Sequence, residues 1–225
     1  RRFDGGAWAE EALPDGMPLV NWVAGLEIDG GALLWLAGNE GQLARRGPTG
    51  EWARMALTST SALWGVWAAA EDDAWAVGSN GVSLRWDGTA FTPGDTGVGT
   101  SLFTVHAYDG RYAAVGGSAS GFIVEFDGTA WSNATPDPAP MGLSGVTLGP
   151  AGSGVAVGLF GAVYVRDESG WQPEDLGDLA TRQNLHGSWI DDEGGLWVAG
   201  GQTLSPPFND GILLHRGTAV PVGVP

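Results

Sequence analysis

Histidine, tyrosine and clustered carboxylates are the side chains of this sequence best suited to chemistry. His106, His186 and His215 are its only histidines, and imidazole both ligates metals and moves protons near neutral pH. They stand in three different stretches, without the close spacing on one element that a metal site requires. The acidic runs "EDD" (71 to 73) and "IDDEGG" (190 to 195) are dense enough to attract Ca²⁺, yet they lack the alternating ligands of a calcium loop and read as solvated turns. Cysteine is absent, which excludes disulfides and thiolate metal sites. No glycine-rich phosphate loop links a strand to a helix, and no Ser, His and acid set stands out. The reading is therefore no catalytic residues, no metal and no cofactor.

Composition limits the partners. The chain has 225 residues, 43% of them hydrophobic, with 26 acidic residues against 10 basic ones, all arginine, for a net charge of -16. That charge repels phosphate backbones and anionic lipid surfaces, so nucleic acid and such membranes are excluded as partners. From Ala139 to Val165 no residue is charged, but seven glycines and Pro150 dilute the stretch below what a transmembrane helix needs. The start at Arg1, without Met, is read as the loss of a leader, a signal sequence or a preceding domain.

The elements that would position any site are legible as repeats. "LWGVWAAAEDDAWAVGSNGVSLRWDGTAF" (63 to 91), "LFTVHAYDGRYAAVGGSASGFIVEFDGTAW" (102 to 131), "LSGVTLGPAGSGVAVGLFGAVYVRDESGW" (143 to 171) and "LHGSWIDDEGGLWVAGG" (185 to 201) align, and a weaker copy starts near Val20. Thirty-nine glycines and 13 prolines oppose long helices. Short aromatic and β-branched runs separated by turn residues give four strands per unit, and a period of about 40 residues indicates a propeller blade. The fold expected is all-β, a single β-propeller domain over 1–225 with five four-stranded blades starting near 20, 63, 102, 143 and 185. The alternative is part of a larger propeller. Within each unit the recurring Asp-Gly of "WDGTAF" and "FDGTAW" reads as a type I′ hairpin between third and fourth strands.

Tryptophan follows the same grammar. Trp35, Trp75 and Trp197 share a second-strand column; Trp8, Trp52, Trp131 and Trp171, with Phe91, share a fourth-strand one; Trp67 and Trp189 share a first-strand one; Phe3, Trp86 and Phe126 share a third-strand one. All are expected to pack between blades, leaving Trp22 and Trp64 over. "RRFDGGAW" at the start supplies only the end of a third strand and a fourth. Residues 1–9 are expected to complete the last blade, so that the ring closes by pairing its N- and C-terminal segments.

The pattern "VW...DD.WAVG..G...RWDG..W" resembles the secreted bacterial propellers related to Asp-box and Ycf48-like repeats and, more distantly, to kelch repeats. The resemblance covers nearly the whole chain and implies architecture, with an extracellular, cell-surface or periplasmic location, rather than an activity. Enzymes on this fold work at the central channel. Glycoside hydrolysis there needs two carboxylates about 5 to 10 Å apart, and the first strands "VNWVAG", "LWGVWA", "LFTVHA", "LSGVTL" and "LHGSWI" hold no acid. A sialidase-like site needs clustered Arg beside a nucleophilic Tyr, and Tyr108, Tyr112 and Tyr164 have no repeat-derived reason to face one.

Binding is the remaining function, and on a rigid ring it belongs to the variable loops. The linkers "AEEALPDGMP", "ARMALTSTSA", "TPGDTGVGTS", "SNATPDPAPMG" and "QPEDLGDLATRQN" differ while the strands agree, and they share a face with the second-to-third-strand turns, including "GQTLSPPFND" (201 to 210). The position just inside each first strand is equally diverse: Asn21, Trp64, Phe103, Ser144 and His186. This column, with Arg182 and Asn184 beside it, is the expected binding site for a protein or glycan ligand. The function expected is a monomeric, non-catalytic ligand- or protein-binding scaffold. A carbohydrate-binding lectin, with Trp64 stacking on sugar rings, is the alternative, and a glycoside hydrolase-like enzyme stands third.

Overall fold

The structure, a computed structural model, describes residues 2–3, 5–17, 19–48, 50–57, 59–202 and 210–218. The described residues form twenty-one short strands and four one-turn 3-10 segments. Blade 1 comprises β3 (Val20–Ile28), β4 (Gly31–Gly38), β5 (Leu43–Arg46) and β6 (Ala53–Arg54). Blade 2 comprises β7 (Leu63–Ala70), β8 (Asp73–Gly78), β9 (Ser83–Trp86) and β10 (Phe91–Gly94). Blade 3 holds β11 (Leu102–Tyr108), β12 (Arg111–Gly116), β13 (Phe122–Phe126) and β14 (Trp131–Asn133). Blade 4 holds β15 (Leu143–Leu148), β16 (Gly154–Gly158), β17 (Val163–Asp167) and β18 (Gly170–Pro173). Each of these four is an antiparallel meander in sequence order. Blade 5 has three strands among the described residues, β19 (Leu185–Ile190), β20 (Leu196–Gly201) and β21 (Gly211–Arg216).

Packing is serial, blade on blade. Each second strand turns one set of side chains back toward the preceding blade and the alternate set forward, as strand alternation requires. Trp35 and Leu43 of blade 1 thus meet Leu63, Val66 and Ala76 of blade 2 in one buried cluster. Trp75 and Val77 meet Leu102, Val105 and Tyr112; Val115 and Ile123 meet Leu143 and Val146; Val155 and Val157 meet Leu185 and Val198. Around Trp75 the rings of Phe126 and Trp131 both lie 5.0 Å away, centroid to centroid. The indole column is therefore a chain of aromatic contacts between neighbouring blades.

One expectation about turns is corrected. The repeated Asp-Gly is not a type I′ turn, which needs positive φ at both central residues. Trp86 pairs with Phe91, so Gly88 and Thr89 are the central residues, and of these two only Gly88 (φ 93°) has positive φ. The Asp87 carboxylate replaces its own carbonyl, accepting from the main-chain N–H groups of Thr89 and Ala90 and from the Thr89 hydroxyl. Asp127 repeats the two main-chain bonds, and Asp167 accepts from the N–H and hydroxyl of Ser169. These are Asx turns, which explains why Asp and a Gly or Ser-like turn residue recur together.

The expected pairing of the N-terminal segment with the C-terminal one involves residues 219–225, which lie outside the described residues. Among the described residues β1 (Arg2–Phe3) bonds to β2 (Trp8–Ala9), with Phe3 opposite Trp8, and β21 bonds to β20. The hairpin continues into residues held against blade 1, where Glu11 accepts from Arg46 and, at 2.9 Å, from the Trp52 indole. The expected packing of every column tryptophan fails at the same two places, since Trp8 and Trp189 are exposed.

Candidate binding face

Five first strands gather at the centre, and each carries a register irregularity near its start. The irregularities fall between Val20 and Trp22, Leu63 and Gly65, Leu102 and Thr104, Leu143 and Gly145, and Leu185 and Gly187. The residues left between them are Asn21, Trp64, Phe103, Ser144 and His186. A β-bulge takes one residue out of the ladder and re-aims its side chain, which is the physical reason this column varies while its neighbours repeat. All five are half-buried, at the strand ends from which the linkers and the second-to-third-strand turns also emerge.

The bulged side chains contact one another and the turns. Trp64 meets the Phe103 ring edge-on at 6.3 Å, and its indole N–H donates to the Ser79 hydroxyl at 2.8 Å. Asn21 donates to the Asn39 side chain and to the Leu63 carbonyl, both at 2.9 Å, tying blade 1 to blade 2. Asn184 lies one residue before the column and accepts from the Phe160 N–H at 3.2 Å, so it supports a turn of blade 4. Arg182 is exposed. The structure thus brings Asn21, Trp64, Phe103 and His186 into equivalent positions, sets Asn184 behind them and leaves Arg182 on the rim. The "GQTLSPPFND" turn lies outside the described residues over 203–209.

A further residue belongs to this face. The turns "NEG", "SNG" and "LFG" hold Glu40, Asn80 and Phe160 at φ of 57°, 58° and 56°. This left-handed region suits Asn but is costly for a bulky side chain. Each turn ends in a glycine against a linker; a methyl on Gly161 would lie 2.0 Å from the Thr181 carbonyl oxygen. Phe160 is 62% exposed, so neither packing nor backbone preference accounts for it. Aligning the three turns against one another makes the anomaly visible from sequence, because Phe stands where Asn is the comfortable choice.

Elsewhere the structure explains its polar residues without a ligand. His106 is half-buried, with its ring 4.0 Å from that of Trp67 and its Nδ1 accepting from the Leu148 N–H at 3.1 Å; desolvation lowers its pKa to about 4. His215 stacks on Trp197 at 4.1 Å. Asp191 holds the Glu193 and Gly195 N–H groups and the Trp197 indole, which accounts for the acidic run as a turn. Among the described residues no group of three or more His, Asp or Glu is placed to hold a metal ion.

Two clefts lie between blades. Where the second strand carries Trp35 or Trp75, a third-strand arginine lies over the indole. Blades 3 and 4 carry Ala113 and Val155 there instead, and the clefts open at those interfaces. The larger, of about 570 Å³, includes Tyr108, Arg111, Glu125, Asp127, Arg166 and Glu168. Its Glu125 is already satisfied by Arg166 at 2.5 and 3.1 Å and by the Trp171 indole at 2.7 Å.

Serial four-stranded meanders around a centre of first strands define a β-propeller, and the chain supplies five blades of one. No protein-family model and no curated protein matches the sequence. Solved propellers match its fold. YCF48 bound to D1 peptide aligns at TM-score 0.59 and 19% identity over 82% of this chain and 62% of that one. A catalytically inactive virginiamycin B lyase from Staphylococcus aureus with quinupristin aligns at TM-score 0.69 and 16% identity, over 90% and 71%. The WD40 propeller domain of Doa1 aligns at TM-score 0.62 and 12% identity, over 84% and 61%. The chain therefore spans less than two thirds of the length of the YCF48 protein it matches.

Proposed function

We propose that this propeller is a non-catalytic peptide- or protein-binding scaffold, extracytoplasmic in location, whose ligand lies across the mouth ringed by Asn21, Trp64, Phe103, Ser144 and His186. The observation that carries the reading is the coincidence of five register irregularities with the five variable positions. A purely structural bulge gives no reason for its side chain to change from Asn to Trp to Ser. Exposed Phe160, Met141 and Leu19 lie in turns and linkers of this same end and supply apolar anchors around the ring. The linkers and turns also carry Glu40, Asp95, Asp137 and Asp178 against Arg182, so an extended segment with apolar anchors and positive charge fits best. YCF48, a structure of similar fold, is solved with a peptide, which is compatible with this use of the fold.

Screening a randomised peptide display library against the chain, with a glycan array in parallel, tests the reading. Peptides enriched in Lys or Arg beside aromatic residues are expected. Trp64→Ala and Phe160→Ala are each expected to weaken the selected peptide about tenfold or more, or about 1.4 kcal/mol, while leaving the melting temperature nearly unchanged for Phe160. Saccharide binding lost in Trp64→Ala, with no peptide enrichment, would replace the reading with the lectin.

A further inference from the structure

The cleft between blades 3 and 4 opens because three neighbouring positions change together. In blades 1 and 2 the second-strand indoles Trp35 and Trp75 stand opposite Arg45 and Arg85. Those guanidinium groups lie over the indoles and also over Trp86 or Phe126 of the following blade. In blade 3 Ala113 stands opposite Glu125, and the following blade presents Arg166 at the position of Trp86 and Phe126. An aromatic layer is thereby exchanged for an ion pair, Arg166 to Glu125 at 2.5 Å. The space left is about 570 Å³, within the range of small-molecule sites, about 300 to 1,000 Å³. On the blade 4 side it is lined by Gly149, Ala151, Gly152 and Ser153, so the turn after β15 sends no large side chain into it.

The blade 3 wall carries an aromatic ring that packing does not explain. Tyr108 is 45% exposed, whereas the equivalent positions, counted from Leu63 and Leu143, hold Ala69 and Gly149. Pairing sets Tyr108 opposite Arg111, and Ser132 opposite Glu125; strand alternation puts all four on the face that meets blade 4. The floor is fixed, since Arg166 also donates to the Gly152 carbonyl at 2.6 Å and Glu125 accepts from the Trp171 indole at 2.7 Å. At the rim Asp127 spends Oδ1 on the N–H groups of Thr129 and Ala130, and its carboxylate also feels the Arg111 charge. Charges of both signs therefore stand side by side around an exposed ring.

We propose that this cleft is a binding site for a neutral saccharide unit, with the apolar face of the sugar on Tyr108 and its hydroxyls shared among Arg111, Asp127 and Ser153. A hydroxyl donates and accepts at once, which matches neighbouring guanidinium and carboxylate groups, and an aromatic ring offers the flat apolar surface a sugar ring needs. An anionic ligand would meet four lining carboxylates, Asp109, Glu125, Asp127 and Glu168, against two guanidinium groups, and is repelled. A cation would find Glu125 already taken by Arg166 and a second guanidinium, that of Arg111, at the same wall. An apolar ligand would bury the polar rim without partners. The cleft lies beside the turns between first and second strands, at the opposite end of the strands from the mouth, so the assignment is independent of the peptide reading.

A glycan array bearing neutral hexose, pentose and N-acetylhexosamine termini, read with the native chain and with Tyr108→Ala and Ser132→Trp, tests the assignment. The native chain is expected to hold one class of neutral terminus. Tyr108→Ala should weaken it about tenfold or more, and Ser132→Trp, which fills the cleft from an exposed position, should abolish it. Both side chains are solvent-accessible, so melting temperatures are expected to stay nearly unchanged; should Tyr108→Ala lower its own, Ser132→Trp still decides. Silence across the array would overturn the assignment, and so would binding that survives both substitutions. Binding lost in Trp64→Ala but kept in Ser132→Trp would move the sugar to the mouth, and spermidine binding by calorimetry with a silent array would make the cleft a cation site; either result rejects it.

Discussion

His106 joins a lowered pKa to a definite structural task. Its Nδ1 must be unprotonated to accept the Leu148 N–H across the blade boundary, and burial lowers its pKa from 6.5 to about 4. The folded protein therefore binds fewer protons than the unfolded chain between these values, and stability falls as pH is lowered through that window. The stabilisation is fully present above about pH 6.5, and its loss by pH 4 amounts to about 3 kcal/mol. Thermal melts between those pH values are expected to show the decline. His106→Gln, which keeps an acceptor without titrating, should flatten it. The turn carboxylates act lower on the scale. Main-chain N–H donors from Ala90, and then Thr89, hold Asp87 at about 2, and Asp127, Asp167 and Asp191 are shifted in the same direction. Their contribution is present above the ordinary carboxylate range and is lost below about pH 4, so the two classes separate in one titration.

At the scale of the element, each blade depends on a glycine closing its second strand. A methyl on Gly78 would lie 2.1 Å from the Ala62 carbonyl oxygen, and Gly38, Gly116, Gly158 and Gly200 face the equivalent carbonyl at 2.0 to 2.4 Å. Main chain cannot rotate away as a side-chain tip can, so Gly78→Ala is expected to destabilise by about 3 kcal/mol or more. Urea denaturation measures the loss, and Gly99→Ala, which has open space around it and, like Gly78, no positive φ, is the control expected to change little. This same column is why the blades were legible in sequence: "AVG", "AGG" and "LAG" recur because the backbone leaves no choice, and the tryptophans recur because the interface is large. The variable column was legible too, as Asn21, Trp64, Phe103, Ser144 and His186, although its cause was not. A bulge is a property of pairing, and pairing leaves only an irregular spacing in the sequence. Phe160 shows in the sequence only when its turn is set beside those of Glu40 and Asn80; its exposure and positive φ, which residue type does not report, are what make it unusual.

At the scale of the whole molecule, the charge of -16 is less compensated than the ten arginines suggest, because many are engaged internally. Arg46 pairs with Glu11, Arg85 with Asp73, Arg166 with Glu125 and Arg216 with Glu174, and Arg45 lies over Trp35 and Trp86. Most of these pairs are partly exposed and add little to stability, but they leave the excess carboxylates facing solvent. An acidic ring of this kind attracts a basic segment from beyond contact distance, over a range set by the Debye length of about 10 Å at 0.1 M salt. Steering acts on encounter, whereas the apolar anchors at the mouth act on residence. For a basic peptide selected on this face, stopped-flow association is therefore expected to slow about tenfold or more as salt rises from about 0.05 to 0.5 M, with dissociation changing far less. Arg182→Glu should raise the association rate at low salt and leave dissociation nearly constant. Trp64→Ala should do the reverse, speeding dissociation at every salt concentration. If salt changed dissociation instead, the charges would lie inside the contact, and the aromatic ring would lose its place as the anchor.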